Sequence, residues 1–154
     1  MPPLVIENLQ ALKSYVGKEI GVSDWFRLSQ DRIAKFAEAT EDRQWIHVDL
    51  ERARRESPYG ATVAHGFLTL SLISHLSKGA MRINAPARMA INYGLNRVRF
   101  PAPVHAGASI RARVTLMSLN ELSGAVEATY SISVECEGAE KPSCVAEWIV
   151  RYYF

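Results

Sequence analysis

The hydrophobic pattern of the chain changes period near residue 88. In four later segments, 88–100, 109–122, 124–138 and 143–154, apolar and polar side chains alternate with a period of two. These segments are rich in Val, Ile, Thr, Tyr and Phe and are bounded by Gly, Pro or Asn, which is typical of β-strands. The breaks between them are short, which predicts that successive strands are antiparallel neighbours.

The first half of the chain has mainly helical spacing. Residues 29–40 predict a short helix, because Ser29 is a good N-cap and Asp31 is an acid in the first turn. Residues 49–57 predict a second, charged helix that Pro58 closes. The segment 18–28 alternates loosely and is compatible with a strand.

The segment "HGFLTLSLISHLSKGA", residues 65–80, is the most apolar helical stretch. Its apolar side chains cover most of the helix circumference, which predicts a helix buried on most sides. Early helices followed by grouped strands indicate an α+β fold. We therefore predict one long helix wrapped by an antiparallel sheet.

Composition and charge narrow the class of protein. The 154 residues are 48% hydrophobic and 22% charged, which fits one globular domain covering 1–154. The net charge of +2, without a basic stripe, argues against nucleic acid or a membrane surface as the partner. The cluster Arg52, Arg54 and Arg55 leaves open a weakly basic patch for a phosphorylated ligand.

Targeting and ligand patterns are also informative. The N-terminus lacks the features of a secretory signal, and no run reaches the about 18 apolar residues of a membrane span, so we expect a cytoplasmic protein. Cys136 and Cys144 are expected to be free thiols. The four histidines and two cysteines do not cluster at ligand spacing, so we expect no metal and no cofactor.

Asp42 and His47 stand close together in "TEDRQWIHVD", residues 40–49. On a helix, five residues leave two side chains about 140° apart, and on a strand an odd separation puts them on opposite faces. The pair converges only if the chain leaves the helix between them. The end of the predicted helix 29–40 is the natural place for that break.

Two interpretations of this pair stay open at the level of residues. In the structural one, Asp42 caps the following turn and His47 is bonded to a backbone carbonyl. In the functional one, Trp45 and Ile46 surround the site with apolar side chains. Desolvation then raises the pKa of the carboxylate and lowers the pKa of the imidazole, so both lie nearer neutrality, where proton transfer at pH 7 is efficient. No G-x-S-x-G or Ser/His/Asp spacing supports a triad hydrolase.

The stretch "TEDRQWIHVDLERA" resembles the hydratase motif of the MaoC-like dehydratases, the (R)-specific enoyl-CoA hydratases. That pattern is roughly T-G-D-x-N-P-hydrophobic-H-x-D followed by Ala. "PYGATVAHGFLTLSLIS" and "LNRVRFPAPVHAGASIRARV" resemble the segments that follow it in the family. The positions that match the motif are Thr40, Asp42, Ile46, His47, Asp49 and Ala53.

The motif also departs from the family. Glu41 replaces its Gly, Gln44 its Asn and Trp45 its Pro. This version resembles the NodN-like or MaoC-like subgroup. The acid and the imidazole are kept, and the altered positions bear on the shape of the pocket.

The resemblance implies a hotdog fold and reversible addition of water to a trans-2-enoyl thioester of CoA or acyl carrier protein. Asp42 and His47 would activate the water, and the backbone N–H of Gly66 would stabilise the thioester oxyanion. The alternative interpretation of Gly66 is that a glycine permits a tight turn into the helix. The implied protein is a homodimer, because one hotdog leaves a long strand edge exposed.

Further residues are weaker candidates. Ser74, Asn92, Tyr93 and Trp45 could line the substrate pocket, and the small polar ones among them are often structural. Three histidines are expected outside the chemistry: His65 in a loop or cap, His75 in the core, and His105 in a surface turn.

Two other functions fit the same fold. One is thioester hydrolysis, although hotdog thioesterases usually rely on a lone carboxylate. The other is a non-catalytic acyl-thioester-binding subunit.

Overall fold

The computed structural model describes residues 1–84 and 87–154. The helices are α1 Leu9–Lys13, α2 Gln30–Thr40, α3 Trp45–Val48, α4 Leu50–Glu56, α5 Gly66–Ser71 and α6 Ile73–Ala80. The strands are β1 Leu4–Ile6, β2 Lys18–Val22, β3 Phe26–Arg27, β4 Met81–Ile83, β5 Met89–Arg99, β6 Ser109–Leu122, β7 Ala125–Cys136 and β8 Cys144–Tyr153. The predicted α+β class and the four long strands are confirmed.

The main sheet is antiparallel and has the strand order β2-β6-β7-β8-β5, with β3 also paired to β6. The alternating burial of β6, β7 and β8 turns one face toward the core. This sheet curves around α5 and α6, as expected for a hotdog fold.

The prediction that all successive strands are neighbours is wrong for β5 and β6. β5 pairs with β8, at the end of the sheet remote from β2. The connection 100–108 is part of the core rather than a hairpin turn: Val104 is buried, its carbonyl accepts the Ala64 N–H, and His105 forms a bridge with Val63. Through this connection the chain passes from β5, at one edge of the sheet, to β6, which lies next to β2.

The predicted helix 65–80 bends at Leu72 and is divided there into α5 and α6. Hydrogen bonds from Leu72 N–H to Leu68 C=O and from Leu76 N–H to Leu72 C=O continue the helical pattern through the bend. One face is buried, but a stripe at Phe67, Ser71, His75 and Lys78 is exposed. The prediction that this helix is buried on most sides therefore holds for the face against the sheet and fails for the exposed stripe.

The segment 18–28 forms two strands rather than one. At Gly21, a Cβ atom would lie 2.6 Å from the Ala80 carbonyl oxygen, so only glycine allows α6 to end this close to β2. The small parallel pair β1–β4 and the helices α1 and α3 were not predicted. Among the described residues, no helix has the length and apolar character needed to cross a membrane.

Candidate active site

The loop between α2 and α3 takes Asp42 and His47 out of helical register. Ser29 caps α2 by accepting the Arg32 N–H at 3.2 Å. The helix ends at Thr40, and Glu41 has a left-handed backbone conformation with φ 62° and ψ 10°. The predicted break between the acid and the imidazole is confirmed.

The entry into α3 explains two departures from the family motif. Gln44 is the N-cap, with φ −56° and ψ 136°, and its side chain makes no capping bond. Trp45 is the first helical residue, which is the position where proline is most favoured. Since Gln44 and not Asp42 occupies the N-cap, capping of this helix does not account for Asp42.

His47 is buried and its ring orientation is fixed. Its Nδ1 lies 2.6 Å from the Val63 carbonyl oxygen, and because a carbonyl only accepts, Nδ1–H is the donor. The backbone is held as well, since the Gln30 side-chain amide donates to the His47 carbonyl at 2.8 Å and accepts from the Thr62 hydroxyl at 2.5 Å. Nε2 is left as the acceptor.

Burial lowers the pKa of His47 from its ordinary value. The bond to Val63 and the charge of Asp42 act in the opposite direction, while the neighbouring His65 lowers the pKa further. The imidazole is therefore neutral near pH 7, as expected from its apolar surroundings.

Asp42 is less enclosed than expected. Its side chain is exposed, so apolar neighbours do not desolvate the carboxylate in the single chain. Trp45 is half-buried, and its ring lies 4.3 Å below the Arg52 guanidinium, in a cation–π contact on the α4 side.

His65 is the residue that sequence reasoning missed. It occupies the N-cap position of α5 but makes no side-chain capping bond. Its buried ring stacks on His47, with centroids 3.7 Å apart and planes 23° apart. Its Nε2–H donates to the Asp42 carbonyl at 2.9 Å.

Asp42, His47 and His65 thus form one cluster, and one ligand atom of each lies within 4.8 Å of the others. The expectation that the histidines do not cluster at ligand spacing is wrong. The contact depends on the α2–α3 loop folding against the start of α5, which local spacing does not encode. The position of His65 directly before Gly66 could have indicated this contact, because a side chain at the start of a buried helix packs against neighbouring segments of the chain.

Gly66 packs closely against Phe100. A Cβ atom at this position would lie 3.0 Å from the Phe100 ring. An added Cβ would require the Phe100 ring to shift by a few tenths of an ångström, so the glycine favours close packing of Phe100 against the start of α5. Neither of the two interpretations of Gly66 given above included this role. Its N–H occupies the first turn of α5, where helices supply no carbonyl partner.

A groove between α5–α6 and the strands β5 and β8 contains two cavities of about 280 and 500 Å³. Ser74, Asn92 and Trp148 border both cavities. Asn92 is fixed there because its Oδ1 accepts the Trp148 Nε1–H at 3.0 Å. Asp42 and His47 do not line either of these two cavities.

Of two other candidate positions, Tyr93 stays a prediction and His75 needs correction. Tyr93 lies at a bulge in β5, 54% exposed, with the Arg151 guanidinium 3.4 Å from its ring centroid, and it lines neither cavity of the groove. His75 is exposed rather than in the core, because it belongs to the open stripe of the bent helix, and its ring meets Phe26 edge-on. His105 is exposed, as predicted.

Comparison with known proteins gives consistent matches. Residues 11–136 match the MaoC-like domain family. The chain is 48% identical over 147 residues to 3-hydroxyacyl-thioester dehydratase Z of Mycobacterium tuberculosis, covering 95% of this chain and 96% of that protein. It is 43% identical over 149 residues to nodulation protein N of Rhizobium leguminosarum bv. viciae, covering 96% and 92%.

A solved structure shares the architecture. The (R)-hydratase from A. caviae involved in PHA biosynthesis superposes with a TM-score of 0.66 at 25% identity, covering 84% of this chain and 94% of that one. The match in fold, the family match over most of the chain and the close relatives agree. The chain belongs to the MaoC-like dehydratases and is an enzyme of the hydro-lyase class.

Proposed function

We propose that this protein is an (R)-specific hydratase/dehydratase of enoyl thioesters. It adds water reversibly to a trans-2-enoyl thioester, of CoA or of acyl carrier protein, to give the (R)-3-hydroxyacyl thioester. The observation that supports this most directly is the convergence of Asp42 with a buried His47 whose Nδ1 is occupied by Val63. The names of the relatives, a 3-hydroxyacyl-thioester dehydratase and an (R)-hydratase, support the substrate class.

Asp42 and His47 activate the water together. The neutral His47 offers the Nε2 lone pair, and the Asp42 carboxylate accepts the second hydrogen of the same water. As the water oxygen bonds to C3 of the substrate, its proton passes through the pair to C2 on the same face. In the reverse direction the pair takes the C2 proton and returns it to the leaving hydroxyl.

The thioester oxygen gains negative charge during this step. We assign its stabilisation to the backbone N–H of Gly66, which begins α5 beside His65. The Phe100 ring against the Cα of Gly66 keeps this segment in place.

The acyl chain occupies the groove between α5–α6 and the strands β5 and β8. Its two cavities are mainly apolar, and Ser74, Asn92 and Trp148 mark the passage from one to the other. Trp45 adds apolar surface beside the pair, while its stacking on Arg52 holds the ring to one side.

The working form is a homodimer built on β5. This edge strand pairs with β8 on one side and exposes the large side chains of Met89, Ile91, Tyr93 and Leu95, at 41–54% of their surface. A long apolar edge invites pairing with a second strand, and a second copy offers the same edge in a two-fold arrangement. The partner would also cover Asp42 and Phe67, which is 69% exposed. A cytoplasmic location agrees with the free thiols of Cys136 and Cys144.

The proposal is tested with purified protein and crotonyl-CoA, by following the loss of enoyl absorbance and, in parallel, the release of free thiol. We expect hydration without thiol release, and an (R) product that an (S)-specific 3-hydroxyacyl-CoA dehydrogenase does not oxidise. Asp42→Asn and His47→Ala should each lower kcat by at least about 100-fold.

The matched controls are Asp31→Asn and His75→Ala, which alter an exposed acid and an exposed imidazole of the same chain. They should retain the activity of the unaltered protein. Thiol release without hydration indicates a thioesterase instead. Silence in both assays across several acyl chain lengths indicates a non-catalytic acyl-thioester-binding subunit.

A further inference from the structure

We propose that His65 is a positioning residue for this reaction, which holds His47 and Asp42 in register with each other. The proposal rests on the proposed function of that pair and adds a third residue to it. His65 is 3% exposed and contacts both partners.

The contact with His47 is a ring stack. The two imidazoles lie 3.7 Å apart and nearly parallel, and Phe36 packs against His65 from α2, with ring centroids 4.9 Å apart. His47 is thus held in its plane by His65 and along its edge by the bond to Val63. Together the two contacts fix the direction in which the Nε2 lone pair points and can accept a proton.

The contact with Asp42 is a hydrogen bond to its backbone. Asp42 lies in the short loop after α2, where its own N–H reaches the Thr40 hydroxyl at a long 3.4 Å. The bond from His65 Nε2–H to the Asp42 carbonyl, at 2.9 Å, is shorter and ties this exposed loop to the start of the buried α5. The carboxylate position therefore depends on His65.

The same bond uses only one ring nitrogen of His65. With Nε2 as the donor, the other nitrogen, Nδ1, is buried and has no hydrogen-bond partner in the described chain. A structural histidine with one satisfied and one orphaned nitrogen is unusual in a protein interior. The titratable groups that act on His47 are Asp42 and His65.

Two substitutions separate the parts of this role. His65→Gln can place an amide N–H near the position of Nε2 and so keep the bond to Asp42, whereas His65→Asn is too short to reach that carbonyl. Both lose the aromatic stack. The exposed His105→Asn and His75→Gln serve as matched controls.

We expect His65→Asn to lower kcat for crotonyl-CoA hydration by about 100-fold with KM changed by less than about threefold, because misplacement of reacting groups affects the chemical step. His65→Gln should recover part of this loss. In both variants the acid limb of kcat/KM should move to higher pH, because His65 lowers the pKa of His47. Circular dichroism and thermal unfolding are measured on every variant.

Several outcomes would overturn the proposal. One is a folded His65→Asn with unaltered kcat and pH profile. Another is equal loss in both variants with an unmoved acid limb, which indicates a merely structural role. If His65→Asn does not fold, His65→Gln alone decides by its acid limb. Activity that EDTA removes and Zn²⁺ restores would point to a metal ion held by the Asp42, His47 and His65 cluster and would also overturn the proposal.

Failure of the proposed function gives a different result. In that case the unaltered protein hydrates no enoyl thioester, or Asp42→Asn and His47→Ala retain full activity. If those two variants are inactive while a folded His65→Asn is fully active with an unmoved acid limb, only the role of His65 is lost.

Discussion

The Nδ1–H of His47 donates to the carbonyl oxygen of Val63 across 2.6 Å, and the imidazole that makes this bond is buried. Val63 lies in the extended segment before α5, and its own N–H donates to the Ile46 carbonyl at 3.0 Å. The ring is thus connected to the segment that begins the central helix. Its tautomer and its direction are set by these contacts rather than by the local helix.

The pH profile of hydration should reflect this burial. The lowered pKa of His47 keeps the imidazole neutral below the ordinary histidine value of about 6.5, and protonation at still lower pH removes the acceptor. Activity should therefore be lost as pH falls, with the acid limb of kcat/KM for crotonyl-CoA centred below about 6.5. An acid limb centred above 7 would contradict the assignment of His47 as the base.

Glu41→Gly should stabilise the fold. Glu41 is a non-glycine residue with φ 62°, a conformation that costs an L-residue about 1 kcal/mol or more. Glycine removes this strain but has a more flexible unfolded chain, so the net gain in the free energy of unfolding should be about 0.5–1 kcal/mol in urea denaturation. Glu41→Ala keeps the Cβ and loses the exposed ion pair with Arg43, and it should give no gain.

Trp45→Pro should be tolerated. Trp45 is the first residue of α3, and Gln44 already has the extended conformation that a following proline imposes. We expect kcat within about threefold and a loss of about 1 kcal/mol or less, from the contact with Arg52. Ile46→Pro is the control: it forces the helical Trp45 out of the α region and should lose more stability. A proline at 45 that abolishes activity in a folded protein would show that the indole itself is needed.

Ser74→Leu should change the acyl chain preference. Ser74 borders both cavities of the groove, so a larger side chain narrows the passage between them. The value of kcat/KM should fall by at least about tenfold for decenoyl-CoA and by less than about threefold for crotonyl-CoA. His75→Leu, the exposed neighbour, should alter neither value. An equal loss for both chain lengths would place the acyl chain elsewhere.

Ile91→Lys should weaken the proposed dimer. Ile91 is an exposed apolar residue of the edge strand β5, and a two-fold contact would bring two lysines into one apolar interface. Light scattering after size-exclusion chromatography should show a dimer for the unaltered protein and a monomer for the variant at micromolar concentration. Val16→Lys, an exposed apolar position outside β5, should leave the dimer intact. A monomeric unaltered protein rejects the homodimer.

Local chemistry was enough to predict several elements. Ser29 is an N-cap, and α2 begins directly after it, because its hydroxyl accepts an N–H three residues on. The strand β6 has the predicted bounds, 109–122, because one of its faces is buried and the alternation records that face. The spacing of Asp42 and His47 required a break, and Glu41 begins it.

Local patterns in the chain therefore predict the class of fold, the long strands and the acid–imidazole pair, since each depends on neighbours within a few residues. Three other features depend on contacts between distant segments: β5 pairs with β8, the helix 65–80 exposes one face, and His65 stacks on His47. Those contacts join residues 18 or more positions apart along the chain. They form because apolar surfaces from distant parts of the chain are buried against each other, away from water. A short stretch of sequence does not specify which distant surface its side chains will contact.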